Sequence, residues 1–263
     1  MNLQSRLSQQ ARFVLTLMMI GGLVSCGDSN TSQPELDTTA SQTLGYTKIN
    51  EPNADDPLDA QIYELDNGLK VYLTENHEEP RFYAEIAVRA GSKHDPADGT
   101  GLAHYLEHLL FKGNQNLGTL DYEAEKPYLD EIVNLYEEHF SATDDERRAE
   151  IYSEINRAAQ IAAEYAVPNE IDKIYNSMGG TGLNAHTWYE ETVYKIGLPS
   201  NRLKQWAEIE SDRFVNPVFR LFHTELETVY EEKNRSLDNA GRIIGTAIDE
   251  LLYKVHPYGQ QPT

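Results

Sequence analysis

The sequence predicts an α+β fold, an antiparallel or mixed sheet packed by helices, with a helical hairpin inserted. Three observations carry that prediction. Asp66-Asn67-Gly68 stands between two apolar runs, a strong hairpin signal. RFYAEIAV alternates, placing Phe82, Ala84, Ile86 and Val88 on one face of a half-buried strand. Residues 121–166 instead carry their apolar side chains at helical spacing.

The elements follow in order. MNLQSRLSQQAR is basic and holds no acid; FVLTLMMIGGLVS is apolar, and Cys26 follows. Residues 1–25 therefore read as a secretory leader, too short to span a membrane comfortably. LVSC resembles the bacterial lipobox, which implies lipidation of Cys26 and a membrane-anchored lipoprotein of the bacterial cell envelope. Residues 26–60 are polar and rich in Ser, Thr, Asn, Asp and Pro, and read as a flexible tether. The folded domain is expected from 61 to 263.

After the hairpin and the alternating strand, SKHDPADGTG is a loop, with Thr100 the expected N-cap of a helix over 101–111. Leu102, Leu106, Leu109 and Leu110 form the expected buried side of that helix. Leu129, Ile132, Val133, Tyr136 and Phe140 mark one long helix, and Ile151, Ile155, Ala158, Ala162 and Tyr165 a second. Thr143-Asp144-Asp145-Glu146 is a capping-box pattern between them. NEIDKIYNSMGG reads as a short helix closed by glycines. TGLNAHTW and EETVYKIGLP read as strands, and three amphipathic helices follow.

Composition narrows the function. Forty-three acidic residues against 22 basic ones give a formal charge of −21, which repels a polyanion and argues against nucleic acid as partner. With one cysteine, no intrachain disulfide exists.

The chemistry concentrates in HYLEHLLFKG, residues 104–113. His104 and His108 are four apart and share one helix face, with Glu107 at its edge. Two imidazoles and a carboxylate suit zinc, which takes three protein ligands in a catalytic site and leaves a position for water. Glu107 would be the general base. The third ligand must be a His or a carboxylate from elsewhere. TELETVYEEKN offers Glu225, Glu227, Glu231 and Glu232, and spacing alone does not choose among them. Glu225 and Glu232, seven apart, share a face, so one could bind metal and the other support a histidine. His77, His94, His139, His186, His223 and His256 read as structural or exposed.

HxxEH is an inverted zinc-peptidase signature. Its surroundings resemble the M16 family of zinc metallopeptidases at four places in order: LDNGLKVYL, GLAHYLEHLLFKG, GLNAHTWYEETVY and ELETVYEEKNR. The resemblance implies one Zn2+ per domain held by His104, His108 and Glu232, with Glu107 as base and Glu225 as the supporting carboxylate. It implies that Asn184 and Ala185 lie on an edge strand that holds a peptide or unfolded protein substrate by its backbone. It also implies a second M16-like half, in the same or a partner chain, so this chain is expected to be the N-terminal part of a longer endopeptidase. The 124 residues from His108 to Glu232 exceed the family's usual interval, and the hairpin at 121–166 accounts for the excess. The alternative reading is a non-catalytic M16-like peptide-binding module or partner subunit.

Overall fold

The computed structural model describes residues 45–260, apart from 52 and 54. The proposed leader and Cys26 lie outside the described residues. The chain forms two compact units, divided between Pro80 and Arg81. In the smaller one, β1 (Tyr46–Lys48), β2 (Gln61–Leu65) and β3 (Lys70–Leu73) form an antiparallel sheet in the order β1-β2-β3. Asp66-Asn67-Gly68 turns β2 into β3 as expected. The Gly68 N–H bonds to the Leu65 carbonyl (2.8 Å) and Gly68 sits at φ 85°, where a side chain would be strained.

Strand β1 corrects the tether boundary. Tyr46, Thr47 and Lys48 pair with Leu65, Glu64 and Tyr63. All three are exposed, so the strand leaves no apolar alternation to read and is held by backbone pairing. Asn50 extends the attachment, accepting from the Ile62 N–H (2.8 Å) and donating to the Ala60 carbonyl (2.7 Å).

The larger unit holds a second antiparallel sheet, built from β4 (Arg81–Val88), β5 (Thr181–Thr187) and β6 (Thr192–Pro199) in the order β4-β6-β5. The central β6 is the most buried, and β5 has β6 on one edge only among the described residues. The helices are α1 (Leu102–Leu109), α2 (Tyr122–Ser141), α3 (Asp145–Tyr165), α4 (Glu170–Ser177), α5 (Leu203–Val215), α6 (Phe222–Ser236) and α7 (Ala240–Leu252). No described helix is long and apolar enough to cross a membrane.

Three apolar clusters organise this unit. Ile171 and Tyr175 of α4 pack on Ile196 and Leu198 of β6. Leu102, Tyr105 and Leu109 of α1 pack on Leu226 and Val229 of α6. Leu135 and Tyr136 of α2 meet Ile151, Ile155 and Ala158 of α3, with Phe222 of α6 against them. The expected hairpin is therefore α2 and α3, capped by Asp144, whose carboxylate accepts from the Arg147 N–H (2.8 Å). Its feet meet: Thr119 and Ala166 form an antiparallel bridge, and Leu120 N–H bonds to the Tyr165 carbonyl (2.8 Å).

Arg220, 2% exposed, ties the hairpin to the turn after α1. It bonds both oxygens of the fully buried Glu125 (2.9 and 3.1 Å) and donates to the carbonyls of Lys112, Leu117 and Asn114 (2.7 to 3.0 Å). A second buried arginine, Arg213, pairs with Glu210 and lies 5.0 Å from the ring centres of Tyr194 and Phe214.

A histidine in the seam between α2 and α6 gives a pH prediction. The His223 ring bonds to the Tyr136 hydroxyl (2.6 Å), and burial pushes its pKa below 6.5, Glu227 opposing. A depressed histidine stabilises the fold fully above its unfolded pKa, near 6.5, and that contribution falls away as the pH drops through the folded value. His223→Gln keeps a polar partner for Tyr136 and removes the titration. Urea midpoints of the parent are expected to decline more steeply below about pH 6.5 than those of the variant; parallel curves would show that His223 carries no such linkage.

Candidate metal centre

Helix α1 starts where its free N–H groups find a partner. Gly101 is its N-cap at φ 92°, a left-handed position that suits glycine, and not Thr100 as expected from sequence. The Asp95 carboxylate, six residues upstream, accepts from the N–H groups of Gly101 (2.8 Å) and Ala103 (2.9 Å). Tyr105, 2% exposed, takes the core position expected of Leu106, which is half-buried. The Tyr105 hydroxyl donates to the Phe222 carbonyl (2.6 Å), pinning α1 to the start of α6.

With α1 and α6 fixed against each other, their polar faces meet. His104 Nε2 lies 3.4 Å and His108 Nε2 3.5 Å from Glu232 Oε2. The two rings are nearly perpendicular, at 86°, with centres 4.9 Å apart. His104, His108 and Glu232 each present an atom within 4.8 Å of the others, the only such set of three metal-binding side chains among the described residues. A tetrahedral ion with bonds of 2.0–2.1 Å separates its ligands by about 3.3–3.4 Å. Both nitrogen–oxygen distances match that spacing, and two imidazoles with a carboxylate are a donor set zinc accepts. The residues fit the metal.

The other carboxylates divide their tasks. Glu225 Oε2 lies 3.4 Å from His108 Nδ1, and its Oε1 pairs with Lys112 Nζ at 2.5 Å. Burial works to raise the Glu225 pKa, but the His108 and Lys112 hydrogen bonds outweigh it and hold it low. That bond to Glu225 is the main reason the His108 pKa is raised. His104 goes the other way: burial first, then the neighbouring His108, depress its pKa, which favours the neutral ring. Glu107, 7% exposed, has its pKa raised by burial, and the Thr187 hydrogen bond opposes the rise.

His104, Glu107, His108 and Glu232 open onto a cleft of 680 Å³, which Asn184 and Ala185 of β5 also line. These two pair with Lys195 and Tyr194 of β6. The structure thus brings together every site residue singled out in the sequence that lies among the described residues.

Residues 70–150 match the sequence profile "Insulinase (Peptidase family M16)". Insulin-degrading enzyme of Bos taurus is 30% identical over 126 residues, 48% of this chain and 12% of that protein. The probable zinc protease PqqL of Haemophilus influenzae is 37% identical over 67 residues, 24% of this chain and 7% of that protein. Over these stretches the chain is similar to M16 peptidases. A solved protease from Helicobacter pylori shares the fold: 77% of this chain covers 38% of that one, with a TM-score of 0.52 and 22% identity. The chain therefore spans only a small part of the length of the curated relatives it matches. Those relatives are named as a probable zinc protease and as an insulin-degrading enzyme.

Sequence reading missed two residues of this cluster. Lys112, one turn beyond His108, bonds Glu225. Thr187 reaches Glu107 from β5. The i, i+4 spacing from His108 hinted at the first; Thr187 needed the register between helix and strand, which no local pattern carries.

Proposed function

We propose that this chain forms the zinc-binding part of an M16 endopeptidase, with His104, His108 and Glu232 holding one zinc ion and Glu107 acting as general base. The observation that carries the reading is the meeting of two imidazole nitrogens and a carboxylate oxygen from α1 and α6 at 3.4 and 3.5 Å. When bound, zinc would polarise water and the scissile carbonyl as a Lewis acid. Glu107, facing the same cleft, takes the proton of the attacking water and returns it to the leaving amine. Glu225 accepts from His108 Nδ1–H and so keeps the lone pair on Nε2. Lys112 holds the other oxygen of Glu225 in place. An extended peptide adds beside Asn184 and Ala185 through its backbone, so the site selects an extended shape more than particular side chains.

Two parts of the proposal rest on the sequence. A second M16-like half, in the same or a partner chain, closes over the peptide. Lipidation at Cys26 anchors the protein in the bacterial cell envelope.

Elemental analysis tests the centre directly. The purified chain is expected to carry one zinc, and Glu232→Ala to lose it. Glu225→Ala is expected to retain the site with affinity weakened about 10–100-fold, the usual cost of losing a supporting carboxylate. Unchanged zinc in Glu232→Ala would remove that residue from the ligand set and overturn the reading.

A further inference from the structure

Among the described residues, the Glu107 carboxylate has one hydrogen bond from a side chain outside its own helix, and its donor is on the β5 wall of the cleft. Thr187 Oγ1 lies 2.6 Å from Glu107 Oε2. Thr187 is the last residue of β5, three and two positions beyond Asn184 and Ala185. It pairs across the sheet with Thr192 of β6, whose hydroxyl lies 3.3 Å away. Thr192 donates to the Ala90 carbonyl (2.9 Å). A hydroxyl has one proton to give. With the Thr192 proton given to Ala90, the Thr187 proton is free for Glu107 Oε2.

We infer that Thr187 is the positioning residue for Glu107: its hydroxyl holds one carboxylate oxygen against the end of the edge strand and leaves the other to face water and substrate. This rests on the reading of Glu107 as the base. Glu107 has no cationic partner at salt-bridge distance among the described residues, so without the hydroxyl the carboxylate keeps its place only by packing. The base and the peptide-holding strand are thereby coupled, since the residue orienting one belongs to the other.

The test compares Thr187→Val, which keeps the branched shape and loses the hydroxyl, with Thr187→Ser, which keeps the hydroxyl. Both are made in the full chain and assayed on an internally quenched peptide. Thr187→Val is expected to lower kcat at least tenfold with KM and zinc content within twofold of the parent, and Thr187→Ser to restore most of the loss. A Val variant with parental kcat, or a Ser variant as impaired as Val, would overturn the inference. Crystal structures supply a readout independent of turnover: Glu107 is expected to keep its position in the parent and the Ser variant and to leave it in the Val variant. An unmoved Glu107 in Thr187→Val also overturns the inference. If Val does not fold, Thr187→Ala takes its place with the same expectations. A parent that binds no zinc sinks the zinc-peptidase reading, and with a parent that cleaves no peptide without its second half the crystallographic comparison alone decides what holds the carboxylate.

Discussion

Glu107→Gln is expected to cut peptide hydrolysis by about 10²- to 10⁴-fold, the range a positioned acid–base group contributes, while zinc content stays at the parental level. The side chain keeps its length, and its amide oxygen still accepts from Thr187, so geometry changes little. What goes is the ability to take up a proton. Glu107 is 7% exposed and burial already works against its charge, so a neutral replacement leaves no unpaired ion behind. Folding is therefore expected to be preserved or slightly strengthened, which separates this loss from a stability effect. Parallel measurements of quenched-peptide cleavage, bound zinc and urea midpoint check all three expectations. Cleavage at the parental rate would show that some other group moves the proton.

The second large effect is on stability. Arg220→Met is expected to cost about 3–5 kcal/mol, the range for breaking a buried ion pair by removing one partner. Glu125 is fully buried and would be left without its cation, and the carbonyls of Lys112, Asn114 and Leu117 would lose their donor. The double variant Arg220→Met with Glu125→Leu is expected to recover much of the ion-pair part, because no charge is then stranded. The carbonyl part stays lost. Urea unfolding followed by circular dichroism measures both. A single variant within about 1 kcal/mol of the parent would mean that the pair is solvated or replaced by another contact.

How far the sequence reached follows from the range of each interaction. His104, Glu107 and His108 lie within five residues, and helix geometry alone places them together. The choice between Glu225 and Glu232 was beyond spacing, since residues seven apart share a face. The structure separates them by the nitrogen each meets on His108, Nδ1 for Glu225 and Nε2 for Glu232. The long helices were legible because Ile151, Ile155, Ala158 and Ala162 repeat on one buried face. Strand β1 was not, since its side chains are all exposed. The start of α1 was misread because its cap comes from Asp95 and not from the neighbouring Thr100. Every miss concerns a contact between segments or a strand held by its backbone, where residue type leaves no periodic trace.

The joined feet of the helical hairpin have a bearing on how kindred proteins are sought. A loop that departs and returns at one spot can lengthen or shrink without displacing what lies on either side. The interval between the paired histidines and the distal glutamate is then free to drift, and a search pattern with that interval fixed would pass over chains that share the same centre.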